Sequence, residues 1–209
     1  VLFEVGKKPL IDYTLDLFIR SRLVNNVIVT TSYQAHRVAT HVLKNKRDLN
    51  VSFSNQDQYT IFSAAKNALA ALECGDIIVL CSADEIRPGL DIDGAINWHV
   101  AEHNVATVVG VKNNRMARYP ALECGKRKLI TRYIPTLSSK PTENHFIHSG
   151  VLIFNKSLSE CFTNTQKGWL SITLPMIESG HSRVYYDAKS DYFNIGTRAE
   201  HEEVLRELN

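Results

Sequence analysis

Apolar runs alternate along the chain with stretches whose apolar residues recur at helical spacing. Residues 27–31 and 76–81 are short runs of β-branched and other apolar residues, a pattern typical of buried strands. Ahead of the first run, Pro9 stands at a first-turn position, and apolar residues recur through Phe18 at the spacing of one helix face. Such alternation predicts an α/β domain with three layers and a largely parallel sheet.

The same alternation continues to the end of the chain. It predicts helices at 34–46, 61–73, 93–103, 170–178 and 198–208, and strands at 51–53, 105–111, 126–133, 146–154 and 183–186. Pro175 lies inside one predicted helix, which should therefore be short or kinked. Because no repeat, low-complexity segment or linker divides the chain, we expect a single domain over residues 1–209.

The charge composition argues against nucleic acid and membrane surfaces as partners. Lys+Arg 24 against Asp+Glu 22 leaves a net charge of +2, too little for a nucleic-acid or membrane-surface footprint. The longest apolar stretch, residues 77–83, is too short to cross a bilayer. None of the four cysteines forms a C-x-x-C pair, and no secretory leader opens the chain, so we expect a reduced, cytoplasmic compartment. The sequence does not determine the oligomeric state, and a homo-oligomer is possible.

One carboxylate stands where α/β proteins bind ligands. Asp84 follows the apolar strand 76–81, and ligands in such folds bind beyond the carboxyl ends of the strands. A carboxylate there suits Mg²⁺, which is usually held by one or two carboxylates together with phosphate oxygens. The alternative is that Asp84 caps the turn leading into Arg87 and Pro88.

Three further motifs have ordinary structural explanations. Asp91 and Asp93 spell the D-x-D of metal-dependent glycosyltransferases, but helix capping explains them better. His99 and His103 complete an H-x-x-E-H zinc-peptidase pattern that a solvated helix face also produces. Near the end of the chain, Thr197 is placed to cap the closing helix after a tight turn.

Taken in order, several segments resemble those of the sugar-phosphate nucleotidyltransferase family, the hexose-1-phosphate nucleotidyltransferases and their relatives. The matching segments are Val5-Gly-Lys-Lys-Pro-Leu-Ile-Asp-Tyr13, residues 27–33, Leu80-Cys-Ser-Ala-Asp84, His148-Ser-Gly-Val-Leu-Ile-Phe154, Leu174-Pro-Met-Ile177 and Phe193-Asn-Ile-Gly-Thr197. The resemblance extends over nearly the whole chain. It implies a Rossmann-like three-layer α/β/α sandwich with a mixed, mainly parallel sheet.

The resemblance also implies a reaction and its residues. A sugar 1-phosphate would attack the α-phosphorus of a nucleoside triphosphate, with Mg²⁺ as cofactor, giving pyrophosphate and a nucleotide sugar for uses such as cell-surface polysaccharide. By analogy, Asp84 is catalytic and the first metal ligand, and Asn194 stands at the second ligand position, where the family usually has aspartate. Lys140 would hold the substrate phosphate, although it could equally be an exposed loop lysine, and Ser149 and Gly150 belong to a substrate-binding strand.

Residues 55–63 differ from the main family pattern. Where the family has a Gly-Thr-Ala turn that contacts the base, this chain has Tyr59 and Ser63, as in the choline-phosphate cytidylyltransferase branch. Both residues are therefore candidates for substrate binding, and Ser63 could equally be a hydroxyl of a helix N-terminus. A phosphorylated alcohol such as phosphocholine is the alternative substrate.

The largest departure concerns the family signature. The family opens with a buried strand and a Gly-rich loop that holds the triphosphate, and the sequence starts at Val1, where that motif would end. We expect either that about 20 upstream residues, a strand and its loop, are missing or that the protein is a non-catalytic relative that binds or regulates.

Overall fold

Strands and helices alternate through the molecule. The computed structural model of the protein describes residues 1–46, 48–55, 60–72, 77–113, 115–137, 140–162 and 168–207. The helices are α1 (Leu10–Arg20), α2 (Ala35–Asn45), α3 (Ile61–Ala70), α4 (Ile92–Ala101), α5 (Leu170–Glu178) and α6 (Arg198–Glu207). The strands are β1 (Glu4–Val5), β2 (Lys8–Pro9), β3 (Val27–Thr31), β4 (Val51–Asn55), β5 (Ile77–Cys81), β6 (Glu85–Ile86), β7 (Ala106–Val111), β8 (Ala121–Cys124), β9 (Ile130–Ile134), β10 (His145–Asn155), β11 (Ser182–Tyr186) and β12 (Phe193–Asn194).

The long strand β10 organises the larger sheet. Its first residues pair with β8, its later residues pair with β5, and β7 lies along its other edge, all antiparallel. The sheet runs in the order β11-β7-β10-β8-β9, and β11 is parallel to β7. A separate parallel pair joins β3 to β4, and β6 pairs with β12. The predicted α/β fold with a mixed sheet is confirmed.

Side chains on β10 alternate between two hydrophobic layers. Val151 and Ile153 pack into a cluster with α1, α2 and α4, whereas Leu152 and Phe154 pack into a second cluster with α3 and α5. Successive residues of a strand point to opposite faces, so this alternation covers the sheet with helices on both sides. The three predicted layers are therefore present.

Two sequence-based boundaries need correction. Residues 126–133 were expected to form one strand, but Arg127 and Lys128 adopt left-handed backbone conformations (φ 53° and 57°) and form the turn between β8 and β9. The cap of α4 is Asp91 rather than Asp93, because the Asp91 carboxylate accepts a hydrogen bond from the Gly94 amide at 2.9 Å. An N-cap side chain reaches the amide three residues on, which Asp93 cannot do for this helix.

None of the described helices combines the length and the hydrophobicity that crossing a membrane requires.

Candidate active site

The turn that follows β5 brings Asp84 to the surface. Two hydrogen bonds fix this turn: the Ser82 amide donates to the Gly150 carbonyl at 2.9 Å, and the Thr14 hydroxyl donates to the Ser82 carbonyl at 3.2 Å. Asp84 itself is exposed, and its carboxylate has no hydrogen-bond partner among the described residues. A fixed backbone therefore presents an open carboxylate just beyond the end of β5.

The short strand pair β6–β12 brings Asn194 beside Asp84. In this pair Asn194 stands opposite Glu85, and the Ile195 amide donates to the Asp84 carbonyl at 3.2 Å. Asn194 is half-buried, and its side-chain amide has no hydrogen-bond partner within the described part of the chain. The two residues that the resemblance assigned to metal binding thus lie on adjacent backbone segments, although they are far apart in sequence.

The chemistry of this pair fits a divalent cation only in part. Asp84 offers carboxylate oxygens and Asn194 a neutral amide oxygen, both suited to Mg²⁺. In the described ranges no group of three or more histidine, cysteine or acidic residues is arranged to hold a metal. Since Mg²⁺ usually keeps several waters and binds through one or two carboxylates and substrate phosphates, the pair fits a site that substrate completes.

A buried ion pair lies directly beneath the turn. Arg87, which is 4% exposed, contacts the Glu85 carboxylate and donates to the Ser149 carbonyl at 2.6 Å and to the Ser82 and Gly150 carbonyls at 3.2 and 3.3 Å. The Tyr192 hydroxyl donates to the other oxygen of Glu85 at 3.0 Å. Burial raises the pKa of Glu85, although the Arg87 charge acts in the opposite direction. Arg87 thereby joins the turn carrying Asp84 to β10.

Gly150 permits this close approach. Its φ of +68° lies in the left-handed region, and a Cβ there would stand 1.6 Å from the Glu85 carboxylate. The Ser149 hydroxyl donates to the Val109 carbonyl at 2.8 Å, and the residue is fully buried. That hydroxyl is engaged with the sheet, and the Ser149 and Gly150 carbonyls accept from Arg87, so the substrate-binding roles of the two residues stay predictions.

His148 is held neutral inside the site. Its Nδ1 accepts from the Gly150 amide at 2.9 Å, and its ring stacks on Trp169 with 4.5 Å between centroids. Burial, followed by repulsion from the Arg87 charge, lowers the pKa of His148 to about 3. Nε2 therefore carries the proton at neutral pH, and it is buried without a hydrogen-bond partner among the described residues.

This depressed pKa makes stability depend on pH. The unfolded histidine, with a pKa near 6.5, binds a proton that the folded one excludes, so stability is full above about pH 6.5 and falls as pH drops toward 3. We expect a loss of about 1–2 kcal/mol between pH 6.5 and pH 5, at up to about 1.4 kcal/mol per pH unit. Urea unfolding of His148→Gln should show a shallower slope over this range. The matched control His36→Gln, which alters an exposed histidine on α2, should keep the wild-type slope; equal slopes in all three proteins would contradict the assignment.

The structure places the remaining predicted residues at different points. Ser63 is buried in the first turn of α3, where its amide donates to the hydroxyl of the N-cap Thr60 at 3.0 Å. Lys140 is exposed and precedes β10 in the chain. It takes no part in the hydrogen bonds and strand pairing described above for Asp84, Asn194 and Gly150. Tyr59 lies outside the described residues. The roles of Ser63, Lys140 and Tyr59 stay predictions.

The competing motifs have structural roles. Asp91 caps α4, and the Asp93 carboxylate accepts from the Arg22 amide at 2.9 Å and contacts the Ser21 hydroxyl. His99 is buried and bonds Thr107 through Nδ1 at 2.9 Å, while His103 lies beyond the end of α4. The D-x-D residues are therefore engaged at helix ends, and the two histidines do not share a helix face.

Sequence reasoning missed the residues that support the turn. Glu85 and Arg87 flank Ile86 shortly after β5, and all three are buried although β5 itself is only half-buried. Two charged residues alternating with an apolar one at the end of a strand, immediately before Pro88 and Gly89, are a signal for a buried pair. Tyr192, whose hydroxyl bonds Glu85, is distant in sequence and gave no such signal.

Comparisons with known proteins bear on the family and the fold. The family model described as nucleotidyl transferase matches residues 1–206. The crystal structure of HddC from Yersinia pseudotuberculosis matches 100% of this chain and 89% of its own chain, with 18% identity and a TM-score of 0.76. The crystal structure of the same protein complexed with GMP-PN matches with the same values. A putative glucose-1-phosphate thymidylyltransferase from Bacillus anthracis, in complex with a sucrose, matches over 98% of this chain and 84% of its own, with 12% identity and a TM-score of 0.77. No curated protein sequence matches the chain. At these identities the structures establish the shared fold.

Proposed function

Because the chain belongs to the nucleotidyl transferase family, we propose that it transfers a nucleoside monophosphate from a nucleoside triphosphate to a sugar 1-phosphate and releases pyrophosphate. The observation that carries this proposal is the pairing of β6 with β12, because Asp84 and Asn194 then belong to adjacent backbone segments beyond the end of β5. Two oxygen donors beyond the carboxyl end of β5 suit a metal-bound triphosphate. The proposed compartment is the cytoplasm, and the oligomeric state is left to measurement.

The proposed reaction exchanges one bond at phosphorus. An oxygen of the sugar phosphate forms a bond to the α-phosphorus, and the bond from that phosphorus to the bridging oxygen of pyrophosphate breaks. Bound Mg²⁺ would neutralise phosphate charge during this exchange. Asp84 and Asn194 would hold the metal, Lys140 would attract the sugar phosphate, and Ser63 and Tyr59 would contact the nucleoside. Arg87 keeps the Asp84 turn in place, which limits the reorganisation needed on binding.

The test is pyrophosphate release by the full-length protein, measured for the four nucleoside triphosphates against a panel of sugar 1-phosphates with Mg²⁺. Guanosine and thymidine nucleotides come first, since a similar structure holds GMP-PN and another is described as a thymidylyltransferase. Release that needs one sugar phosphate supports the proposal. Release only with phosphocholine and cytidine triphosphate would replace it with the alternative substrate.

A binding or regulatory module is the second candidate, and Asn194 is the observation that favours it. A neutral amide at this position supplies no charge to the metal. Saturable binding of nucleoside triphosphate by calorimetry, with no pyrophosphate release for any substrate pair, would establish this second function and overturn the first.

The substitution Asn194→Asp should strengthen metal binding. A second carboxylate beside Asp84 adds charge to the site, so we expect the Mg²⁺ concentration for half-maximal effect to fall about tenfold, about 1.4 kcal/mol. The measurement is the rise in thermal midpoint with Mg²⁺, which needs no turnover. Asn194→Ala, which removes the oxygen, should give a smaller rise than wild type. If the three proteins respond equally to Mg²⁺, Asn194 is not a ligand.

A further inference from the structure

Two lysines share a pair of aromatic rings at one corner of the larger sheet. The Lys112 ammonium, just after β7, lies 4.4 Å from the centre of the Phe146 ring and 5.6 Å from that of the Tyr186 ring. The Lys128 ammonium, from the turn between β8 and β9, lies 6.0 and 5.2 Å from the same two centres. An ammonium group is attracted to the face of an aromatic ring within about 6 Å. The two rings therefore hold two positive charges close together.

No carboxylate of the described chain neutralises these two charges. Neither Lys112 nor Lys128 forms an ion pair with a described residue, and Glu123 of β8 pairs with Arg132 instead, at 2.7 Å. Both lysines are half-buried. Burial lowers the pKa of Lys128, and the charge of Lys112 lowers it further. Charges withdrawn from water are normally paired with an opposite charge, and this pair of like charges departs from that rule.

The turn that carries Lys128 has a strained backbone. In the turn 126–129 the Leu129 amide donates to the Lys126 carbonyl at 3.2 Å, and both central residues, Arg127 and Lys128, have left-handed φ values of 53° and 57°. Such positions favour asparagine and glycine, because a longer side chain crowds the backbone there. Arginine and lysine therefore occupy them at a cost in stability. Residues held in such conformations cluster at ligand-binding sites.

A further cation is fixed beside this turn. Arg183 of β11 donates from Nη1 to the Arg127 carbonyl at 2.8 Å, and its backbone forms a bridge with Leu129. Arg183 forms no ion pair within the described part of the chain either. The chain has a net charge of only +2, so the positive charge is concentrated locally. We call this cluster the cationic corner, and its members are Lys112, Lys126, Arg127, Lys128 and Arg183.

We propose that the cationic corner binds the phosphate groups of a small phosphorylated molecule. Several cations within a compact area suit a ligand with two or more negative charges. Phosphate oxygens accept hydrogen bonds from both lysine and arginine. The small net charge of the chain argues against a nucleic acid as this ligand, since nucleic-acid surfaces are usually basic over a much larger area.

The cationic corner lies apart from Asp84. Phe146, whose ring the two lysines contact, is five positions before Val151 on β10, and Val151 pairs with Cys81 at the end of β5. At about 3.3 Å per strand residue, this separation is about 16 Å. A ligand held at the corner therefore leaves Asp84 and Asn194 open, and the proposal does not depend on which reaction the protein performs.

The test is a calorimetric titration of the full-length protein, with EDTA present so that no Mg²⁺ bridges phosphate to Asp84. Inorganic pyrophosphate is the first probe, followed at equal ionic strength by inorganic phosphate, a nucleoside diphosphate and a sugar 1-phosphate. We expect saturable binding, with one site per chain, for at least one of these probes. The probe that binds most tightly identifies the source of the phosphate. The absence of saturable binding for all four probes would overturn the proposal.

A double substitution in the turn separates binding from structure. Arg127→Asn with Lys128→Gly removes two charges and introduces residues that readily adopt left-handed φ. The affinity for the probe should fall at least tenfold, whereas the thermal midpoint without ligand should rise, because backbone strain and repulsion are both relieved. A turn with only a structural role would gain the same stability and keep its affinity for the probe, which would contradict the proposal.

Lys44→Gln with Lys66→Gln is the matched control. It also removes two charges, from exposed positions on α2 and α3 that take no part in the cationic corner. Affinity for the probe should stay within about twofold of wild type. Equal losses of affinity in the two double variants would indicate general charge attraction and would overturn the assigned site. None of these readouts requires turnover, so a protein without transferase activity would still decide the question.

Discussion

Replacing Asp84 by alanine is expected to lower kcat/KM for pyrophosphate release by about 1,000-fold, or about 4 kcal/mol of transition-state stabilisation. Asp84 carries the single carboxylate of the candidate metal pair, and Asn194 contributes only a neutral oxygen. Because the Asp84 side chain is exposed and makes no hydrogen bond to other described residues, its removal should leave the thermal midpoint unchanged. This variant should therefore lose activity while keeping its thermal stability.

Asp91→Asn is the matched control for this experiment. It removes a negative charge from a nearby exposed aspartate, and asparagine caps helices about as well as aspartate, so α4 is preserved. We expect kcat/KM to stay within about twofold of wild type. If Asp84→Ala retains near-normal rates, the assignment of Asp84 as a metal ligand is wrong. If Asp91→Asn abolishes activity, the result would favour the alternative in which Asp91 and Asp93 form the D-x-D of a glycosyltransferase.

Arg87→Met is expected to lower the free energy of unfolding by about 3–5 kcal/mol, the range for breaking a buried ion pair. The substitution leaves the Glu85 carboxylate buried without its cation and removes the donor shared by the Ser82, Ser149 and Gly150 carbonyls. Urea unfolding at pH 7 measures the loss. Burial already raises the pKa of Glu85, so the carboxyl should take up a proton in the variant.

Two further variants separate charge from packing at this position. Glu85→Gln combined with Arg87→Met removes both charges and should recover part of the loss, since a buried carboxylate no longer lacks a partner. Arg118→Met breaks the exposed pair with Glu203, whose atoms are 2.8 Å apart, and should leave the urea midpoint unchanged. A loss for Arg87→Met no larger than that for Arg118→Met would show that the buried pair does not hold the turn.

Local patterns predicted most elements because each depends on nearby residues. The strand 77–81 and the helix at 170–178 appear as expected, the latter with Pro175 inside it. The Thr197 hydroxyl caps α6 by accepting a hydrogen bond from the Glu200 amide at 3.2 Å. The Glu200 carboxylate in turn accepts a hydrogen bond from the Gly196 amide at 3.1 Å. These signals are confined to one turn of chain and need no tertiary information.

Long-range pairings were not predictable in this way. β6 and β12 have 2 residues each, too short for a periodic pattern, yet they bring Asn194 to Asp84. Hydrophobic alternation identified β10 but not its antiparallel direction, which depends on its three neighbours. The family resemblance supplied the Asp84–Asn194 association that periodicity could not.

The β6–β12 pair also constrains the order of folding. Its closing contact, from Tyr192 to Glu85, joins residues 107 positions apart, so the loop between them must be closed before the pair can form. The larger sheet contains both β5 and β10 and can assemble without β12. Asp84 therefore gains its neighbour late, when the segment that carries Asn194 docks. A chain stalled before that step would have its larger sheet but would lack the assembled pair of candidate metal ligands.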